Sequence, residues 1–509
     1  MININHQKMF KVASTLIVIL GIFSGLLLIF SYRSFELKIY DHNNHDKHRM
    51  ILVVLDAFRH DYLEIAESRG INLTALKTIE KNGARVKKMT PVFPSVTMPN
   101  HQTLVTGLFS SYHGITYNTF NDSSFNYDRF AMQNQTSLNE ERWYKGYPDP
   151  IWVTCEKHKF CKSGSMLWPN TDAIVNGYRP FRKVDQYYAL NEKPYIYPYD
   201  RRVDEVLEWV KQDLVDFTLL YFDEPDATSH KYGPTHENTL NKIGEMDTWI
   251  NRLLKGIENL GLKSHVDVIV TADHGMTDLN QSRVIDIDKV VDPKLYKSTY
   301  SYPIGIIYPN EGEEEKVYQL YKNASKNIEV FWRNEIPDQY NYKGNPNRIS
   351  PIVTIVKNGW VVNSSHYYVK MKGGNHGYSQ FEDDMKAMFL AYGPSFKHVS
   401  IDSVNNVDVY PLMMHLLGMK PNPNNGSSNL FSILTESAKQ FKPRDNRWQY
   451  NKPMVFTILL LVLQTLSCLA YVICLLCRRF NRQLNFRQNR KETPLHLDME
   501  HREALIDNS

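Results

Sequence analysis

Short apolar runs alternate with longer amphipathic stretches through most of the chain. Runs rich in Val, Ile, Leu or Phe and too short for helices predict buried parallel strands at residues 50–55, 217–222, 266–271, 351–356 and 387–391. Apolar residues recurring about every 3.6 positions predict helices at residues 73–82, 202–212, 236–260 and 404–417. This alternation indicates an α/β fold in which helices cover both faces of a mostly parallel central sheet.

Two longer apolar stretches, residues 12–30 and 454–477, lie outside this pattern, and each is about long enough to cross ~30 Å of hydrocarbon. The first follows two lysines and lacks a clear cleavage site, so a signal anchor and a signal peptide both remain open. The second precedes a strongly basic segment, which is typical of a stop-transfer sequence. We therefore expect a cytoplasmic N-terminus (1–11), a signal anchor or signal peptide (12–30), a stalk (31–48), an extracellular domain (49–434), a second stalk (435–453), a transmembrane helix (454–477) and a basic cytoplasmic tail (478–509) at the plasma membrane.

Composition and charge indicate a folded protein and disfavour one class of function. The chain is 42% hydrophobic and 22% charged, which is typical of a folded globular protein. Its formal net charge is only +4 over 509 residues, and Lys and Arg are dispersed except near the C-terminus. This distribution disfavours binding of a nucleic-acid polymer.

Sequons and cysteines agree with an extracellular domain. None of the Asn-x-Ser/Thr sequons lies in the basic tail, and we expect glycosylation at Asn72, Asn121, Asn134, Asn280, Asn323, Asn363 and Asn425. Three of the five cysteines belong to the C-terminal apolar stretch, which leaves Cys155 and Cys161. An oxidising compartment favours a disulfide between them, with two unpaired thiols as the alternative.

Acidic and histidine residues follow several predicted strands. Asp56 comes directly after the strand at 50–55, Asp226 soon after the strand at 217–222, and Asp273-His274 soon after the strand at 266–271. Ligands of open α/β sheets bind at the carboxyl ends of strands, so these side chains are expected to converge. His230, one helical turn beyond Asp226, and His376 in a Gly-Asn-His-Gly segment add imidazoles. Carboxylate and imidazole ligands without thiolate favour zinc over calcium or magnesium.

Thr97 precedes a segment that predicts a helix ending near Gly107, with Thr97 as N-cap and Pro99 in the first turn. Backbone amides at a helix start stabilise an anion, and a metal ion there can lower the pKa of the hydroxyl enough to make a nucleophile. An ordinary capping threonine is the alternative.

Six motifs then occur in a family-like order between residues 50 and 420: Asp56-Ala57-Phe58-Arg59, Thr97-Met98-Pro99-Asn100-His101, His113-Gly114-Ile115, Glu224-Pro225-Asp226 with His230, Asp273-His274-Gly275-Met276, and His376-Gly377-Tyr378. The chain resembles the ectonucleotide pyrophosphatase/phosphodiesterase family, in the short form without somatomedin-B-like or nuclease-like domains. The resemblance implies an alkaline-phosphatase-like fold and two zinc ions per chain. It assigns Asp226, His230 and His376 to one zinc, and Asp56, Thr97, Asp273 and His274 to the other.

The resemblance also implies a reaction. Thr97 would be the nucleophile and form a phosphothreonine, while Asn118 would contact the phosphoryl oxygen; Asn121 is rejected for that role because it begins a sequon. Trp168, Asp172 and Tyr187 or Tyr188 match pocket residues of nucleotide-cleaving members, which favours a nucleotide substrate. Met98 stands where those members usually have a phenylalanine, and Val96 replaces a frequent lysine, which keeps a choline or lysophospholipid phosphodiester open. A phosphomonoesterase and a non-catalytic adhesion protein are further alternatives.

Other acidic and histidine residues receive structural interpretations. His101 and His113 are expected to be packing or surface residues, because the resemblance assigns them no metal. Asp223 and Glu224 are expected to lie in a loop or beside the ligands rather than to bind metal, and Asp61 and Asp247 to be exposed helix residues.

Overall fold

The structure is a computed structural model that describes residues 48–158, 160–185, 197–301, 303–367, 372–442, 464–466, 468–479 and 481–482. It divides the chain into two units, residues 1–444 and 445–509. Every candidate catalytic residue lies in the first unit.

Strands and helices alternate through the described part of the first unit. The strands are, in chain order, β1 (Arg49–Leu55), β2 (Ala84–Thr90), β3 (Thr119–Asp122), β4 (Asp128–Ala131), β5 (Ser163–Met166), β6 (Arg182–Val184), β7 (Phe217–Phe222), β8 (Val266–Thr271), β9 (Thr277–Asp278), β10 (Val284–Asp286), β11 (Tyr296–Ser301), β12 (Ile304–Pro309), β13 (Ile328–Trp332), β14 (Ile352–Val356), β15 (Val361–Asn363), β16 (Gly374–Asn375), β17 (Ala387–Tyr392) and β18 (Val399–Asn405). The α-helices are α1 (Tyr62–Ser68), α2 (Thr74–Asn82), α3 (Thr97–Thr106), α4 (Ser110–His113), α5 (Gln135–Asn139), α6 (Ile151–Lys157), α7 (Tyr199–Lys211), α8 (Asp226–Tyr232), α9 (Glu237–Asn259), α10 (Glu314–Ala324), α11 (Val409–Leu416) and α12 (Glu436–Lys439).

The central sheet has eight strands in the order β18-β2-β17-β8-β1-β7-β5-β6. Only β17 runs against its neighbours, so the sheet is mostly parallel. Every residue of β1, β7 and β8 is buried. Because successive side chains of a strand point to opposite faces, fully buried strands require cover on both faces of the sheet. The predicted α/β arrangement is therefore present.

The five strand predictions are correct in position, but two of these strands, β17 in the central sheet and β14 outside it, are antiparallel rather than parallel. The predicted strands at 217–222 and 266–271 are β7 and β8, and those at 50–55 and 387–391 are β1 and β17 with one added residue each. The run at 351–356 forms β14, which pairs antiparallel with β12 and β13 in a separate four-stranded sheet. Its assignment as a parallel strand was wrong, because burial on both faces produces the same apolar run in either direction.

Helix predictions hold for three of the four segments, which are α2, α7 and α9 with ends shifted by up to three residues. The predicted helix at 404–417 was wrong at its start. Val404 belongs to the edge strand β18, where it pairs with Met89 of β2, and the α-helix begins only at Val409. The side chain of Asp408 accepts a hydrogen bond from the backbone of Asn405, 3.0 Å away, and marks the turn between strand and helix.

Gly83 follows the last residue of α2, and a glycine is required there by a contact with a strand that is distant in the sequence. Its backbone is extended, so no left-handed conformation requires a glycine. A Cβ atom at this position would lie 2.1 Å from the carbonyl oxygen of Ala391 in β17. The glycine therefore permits the close approach of helix α2 to the sheet.

The described residues of the second unit, 464–466, 468–479 and 481–482, are helical. Within the described part of the chain, no helix combines the length and apolar character needed to cross a membrane. The predicted apolar stretch at 12–30 lies outside the described residues, and that at 454–477 lies partly outside them.

Candidate active site

Three strand ends meet at one edge of the central sheet. β1 lies between β7 and β8, and the pairs Leu55–Phe222 and Val54–Thr271 place the ends of these strands level with one another. Asp56 follows β1 directly, whereas Asp226 begins helix α8 shortly after β7. The parallel register therefore brings the segments that carry Asp56, Asp226 and Asp273-His274 together, as the sequence predicts.

Asp226, His230 and His376 form a first cluster of potential metal ligands. Asp226 Oδ1 lies 3.3 Å from His230 Nε2 and 3.4 Å from His376 Nε2. On the other side of each ring, Nδ1 lies 3.0 Å from the carbonyl oxygen of Gly374 for His230 and 3.1 Å from that of Ser95 for His376. A carbonyl oxygen only accepts, so Nδ1 donates and Nε2 of the neutral ring presents its lone pair to the cluster.

Asp56, Asp273, His274 and Thr97 form the second cluster. His274 Nε2 lies 3.1 Å from Asp273 Oδ2 and 3.5 Å from both Asp56 Oδ1 and Thr97 Oγ1. The His274 ring stacks on His376 with ring centroids 3.7 Å apart, which joins the two clusters. All seven side chains predicted to bind metal therefore lie together, and their roles as ligands remain predictions.

Burial and neighbouring charges shift the pKa values of the residues in the two clusters in different directions. Burial, followed by repulsion from Asp273, raises the pKa of Asp56 well above its ordinary value. Burial alone would also raise the pKa of Asp226, but the neighbouring histidines, His230 first, lower it to about 2. Burial and then His274 lower the pKa of His376 to about 3. Although burial lowers the pKa of His230, the carboxylate of Asp226 raises it on balance, so a bound cation would replace protons that these ligand atoms otherwise share.

The donor atoms of the clusters fit bound divalent cations. Asp56 Oδ1, Asp226 Oδ1 and Asp273 Oδ2 are buried and have no hydrogen-bond partner among the described residues. Each faces the Nε2 atom of a histidine across a gap of 3.1–3.5 Å. A metal ion between such atoms would be coordinated by both the carboxylate oxygen and the Nε2 atom.

Thr97 begins helix α3, in which every residue is buried. The predicted N-cap was wrong by one position, since Val96 is the N-cap and Thr97 is the first helical residue. The polar helix tolerates burial partly because Asn100 donates hydrogen bonds to the carbonyl oxygens of Pro94 and Val96. Thr97 therefore lies at the helix end where free backbone amides and the helix dipole stabilise negative charge.

Asn118 lies beside the start of this helix. Its side-chain oxygen accepts a hydrogen bond from the backbone amide of Met98, 2.8 Å away, and its backbone carbonyl oxygen accepts one from the backbone amide of Met132. The oxygen is therefore engaged, and the half-buried side-chain NH2 is the end available to an anion near Thr97.

Two residues of the site were missed by the sequence interpretation. The hydroxyl of Tyr221, the next-to-last residue of the apolar strand β7, donates to Asp56 Oδ2 over 2.5 Å. His101, which we expected to be a packing or surface residue, places Nδ1 2.9 Å from the carbonyl oxygen of Thr97 and 3.4 Å from Asp273 Oδ2. The four-residue spacing between Thr97 and His101 could have indicated a shared helix face, whereas nothing in the sequence distinguishes Tyr221.

The predicted substrate pocket is only partly described. Trp168 is fully buried and packs edge-on against His101, with ring centroids 4.9 Å apart. Asp172 is buried as well, and its carbonyl oxygen accepts a hydrogen bond from Lys183. Tyr187 and Tyr188 lie outside the described residues. The roles of these residues in substrate binding remain predictions.

Among the residues with structural interpretations, Asp61 and Asp247 depart from expectation. Asp61 is the half-buried N-cap of α1 rather than an exposed helix residue, and its carboxylate accepts hydrogen bonds from Arg59. His113 is buried, which lowers its pKa to about 3, and it contacts Thr103. Asp223 accepts a hydrogen bond from Arg202, and Glu224 accepts one from the backbone of Thr228. Asp247 is not an exposed helix residue, because it is 4% exposed.

The structure tests the predicted disulfide but not the predicted glycosylation. The disulfide between Cys155 and Cys161 is present and confirms that prediction. Of the predicted glycosylation sites, Asn121 and Asn363 are half-buried and the remaining five asparagines are exposed. Their glycosylation remains a prediction.

Comparisons with known proteins agree with this geometry. A model of the type I phosphodiesterase/nucleotide pyrophosphatase family matches residues 50–379. The human bis(5'-adenosyl)-triphosphatase ENPP4 is 32% identical over 467 residues, covering 90% of this chain and 94% of that protein. Human ectonucleotide pyrophosphatase/phosphodiesterase family member 5 is 32% identical over 403 residues, covering 78% of this chain and 80% of that protein.

A solved structure is similar over the same region. An inactive variant of murine ectonucleotide pyrophosphatase/phosphodiesterase 5, in complex with AMP, has a TM-score of 0.70 and 32% sequence identity. The match covers 76% of this chain and 100% of the solved one. It confirms the predicted α/β, alkaline-phosphatase-like fold with a mostly parallel central sheet.

Proposed function

The chain belongs to the type I phosphodiesterase/nucleotide pyrophosphatase family, and from this premise we propose that it hydrolyses phosphodiester and pyrophosphate bonds of extracellular nucleotides through a covalent intermediate on Thr97. The family match and the similar proteins confirm the predicted resemblance. Members of this family are metal-dependent hydrolases. The substrate, the metal and the intermediate are parts of the proposal.

The observation that carries the proposal is the position of the Thr97 hydroxyl. It lies 3.5 Å from His274 Nε2 at the start of α3, beside the two carboxylate-imidazole clusters. An ordinary capping threonine would instead donate or accept within its own helix end. A hydroxyl held among metal ligands at a positive helix end is suited to nucleophilic attack.

In the proposed reaction, the Thr97 oxygen forms a bond to phosphorus while the bond from phosphorus to the leaving oxygen breaks. This step leaves a phosphothreonine whose phosphorus still carries the second ester group of the substrate, and the leaving oxygen departs with the alcohol or nucleotide product. Water then attacks phosphorus, the bond to Thr97 breaks, and phosphate monoester leaves. Through both steps, the side-chain NH2 of Asn118 and the backbone amide of Thr97 donate to the non-bridging oxygens, where negative charge develops.

We propose that both clusters hold zinc, one ion with Asp226, His230 and His376 and the other with Asp56, Thr97, Asp273 and His274. In a tetrahedral site with bonds of ~2.0 Å, neighbouring ligand atoms are separated by ~3.3 Å. The separations of 3.1–3.5 Å within the clusters agree with that spacing. When bound, zinc lowers the pKa of a coordinated oxygen and stabilises charge on the oxygens around phosphorus.

A nucleotide is the proposed substrate class. One human relative is a bis(5'-adenosyl)-triphosphatase, and the murine relative is complexed with AMP. Trp168 and Asp172 would belong to the nucleotide pocket. The domain at 49–434 would face the extracellular space, anchored by the apolar stretch at 454–477, because the sequons lie in this domain and the basic segment follows the apolar stretch.

A hydrolysis panel tests the proposal with the full-length protein in detergent. Diadenosine triphosphate and p-nitrophenyl thymidine monophosphate should be cleaved faster than p-nitrophenylphosphorylcholine or p-nitrophenyl phosphate. A chelator should abolish turnover, and added zinc should restore it. Faster cleavage of the choline ester would assign the alternative substrate class, and no turnover by zinc-loaded protein would favour an adhesion role.

Thr97→Ala should abolish turnover and leave the zinc content nearly unchanged, because three protein ligands of that ion remain. Thr106→Ala is the matched control, since this hydroxyl is buried in the same helix and bonds only to neighbouring backbone groups. Substantial residual activity in Thr97→Ala would refute the nucleophile assignment.

A further inference from the structure

Arg348 is a buried arginine far from the catalytic residues in sequence. It is 2% exposed and lies in the segment between Tyr340 and β14. Its guanidinium packs against the rings of Phe120, Trp143 and Tyr147 at 4.6–5.8 Å. Burying a positive charge in aromatic surroundings is costly unless hydrogen bonds and an opposite charge compensate it.

The compensating groups lie on both sides of Asn118 in the sequence. Arg348 Nε donates to Asp122 Oδ2 over 2.6 Å, and Nη1 donates to the carbonyl oxygen of Gly114 over 2.8 Å. The same Nη1 atom donates to the carbonyl oxygen of Trp143 over 2.8 Å. One side chain therefore joins the residue four positions before Asn118 to the residue four positions after it.

Residues near Arg348 in the same segment make further hydrogen bonds to the chain around Asn118. The Tyr342 hydroxyl donates to the carbonyl oxygen of Thr116 over 2.9 Å, and the Thr116 hydroxyl donates to that of Arg348 over 3.3 Å. The backbone amide of Ser123 donates to the carbonyl oxygen of Asn347. The path of the chain from 114 to 123 is thus set by contacts with residues 342–348.

That path determines where Asn118 stands relative to Thr97. The Asn118 oxygen bonds to the Met98 amide, next to Thr97, so a shift of the segment moves the NH2 group that faces the site. Hydrogen-bond donors to a transition state are sensitive to shifts of this kind, and a misplacement of about 1 Å can cost about 100-fold in rate. Lysine cannot replace the planar guanidinium, because it lacks the fixed fork that reaches two acceptors at once.

We propose that Arg348 is a positioning residue, which fixes the segment from Gly114 to Asp122 so that Asn118 can donate to the phosphoryl group. This inference rests on the proposed function, in which Asn118 contacts the non-bridging oxygen. Arg348 itself does not touch the reacting atoms.

A double-mutant cycle in the full-length protein tests the inference. Asn118→Ala should lower kcat by about 100- to 1,000-fold, as removal of an oxyanion donor does. Arg348→Lys should lower kcat by about 10- to 100-fold, with little change in KM or zinc content. In the Asn118→Ala background, Arg348→Lys should change kcat by less than about twofold, because the group it positions is gone.

Arg333→Lys is the matched control. Arg333 also donates to the segment that carries Arg348, through the carbonyl oxygens of Pro346 and Ile349. The hydrogen bonds of its side chain within the described part of the chain go to Pro346 and Ile349 and not to residues 114–122, so kcat should stay within about twofold of the wild-type value. A large fall in kcat for this control would show that general loosening of the segment, rather than the Arg348 contacts, explains the effect.

Asp122→Asn provides a second variant if Arg348→Lys does not fold. It keeps the acceptor oxygen but removes the charge that Arg348 binds, and its effect on kcat should also vanish in the Asn118→Ala background. Full additivity in either cycle would overturn the positioning role. An unchanged kcat in Asn118→Ala alone would instead refute the proposed contact with the phosphoryl oxygen, so the two failures are distinguishable.

Discussion

Tyr221 orients a carboxylate of the site from within an apolar strand. Its hydroxyl donates to Asp56 Oδ2, which leaves Oδ1 as the atom that faces His274. Burial and then the charge of Asp56 raise the pKa of Tyr221 well above its ordinary value, so the hydroxyl keeps its proton. Hydrogen bonds of this kind fix the direction of a metal-binding carboxylate.

Removal of this hydroxyl is expected to weaken metal binding. Tyr221→Phe should lower zinc affinity by about 10- to 100-fold, because Asp56 loses the donor that orients it. The measurement is zinc content by mass spectrometry after equilibration with increasing concentrations of a chelator.

Tyr199→Phe is the control for this change. The Tyr199 hydroxyl donates to Asp223, a carboxylate outside the predicted ligand set, so zinc retention should match that of the wild type. Equal retention in Tyr221→Phe and Tyr199→Phe would contradict the orienting role.

At the scale of elements, helix α2 is capped by a residue of a different helix. Asp247 of α9 accepts hydrogen bonds from the backbone amides of Ala75 and Leu76, at 3.0 and 2.7 Å. The first amides of a helix have no partner within it, and Leu73, the N-cap, has no side-chain acceptor to offer. Asp247 therefore completes α2 and joins it to α9.

Asp247→Ala should reduce the free energy of unfolding by about 1–3 kcal/mol, because two buried amides lose their acceptor. The shift of the urea unfolding midpoint measures this change, and the zinc content of the folded variant should stay normal.

Glu245→Ala is the matched control on the same helix. Glu245 is exposed and pairs with Lys242, so its loss should change the free energy of unfolding by no more than about 0.5 kcal/mol. Equal destabilisation by both variants would contradict the capping role of Asp247.

At the scale of the whole molecule, the proposed topology places the catalytic domain and the basic tail on opposite sides of the plasma membrane. A membrane-impermeant biotin reagent should label the domain at 49–434 on intact cells, because this domain would face the medium. An antibody against residues 478–509 should bind only after permeabilisation, and digestion with a glycosidase that removes N-linked glycans should increase electrophoretic mobility. Tail staining of intact cells would contradict this orientation.

The sequence by itself determined the positions of four strands of the central sheet and of the segments that meet at the site. Buried parallel strands consist of continuous apolar runs, and the residue after each run lies at the carboxyl edge of the sheet. Asp56, Asp226 and Asp273 could therefore be placed together from local patterns. The order of the motifs then indicated the family, because such motifs are set by chemistry at single positions.

Only the tertiary structure decided the contacts that join distant segments. The direction of β14, the strand pairing of Val404, the capping by Asp247 and the roles of Tyr221 and Arg348 depend on partners that lie elsewhere in the chain. Local pattern indicates which apolar segments are buried, but a buried hydroxyl, carboxylate or guanidinium is stable wherever the fold supplies its partner. The identity of that partner is fixed by packing across the whole molecule, and so the sequence pattern does not contain it.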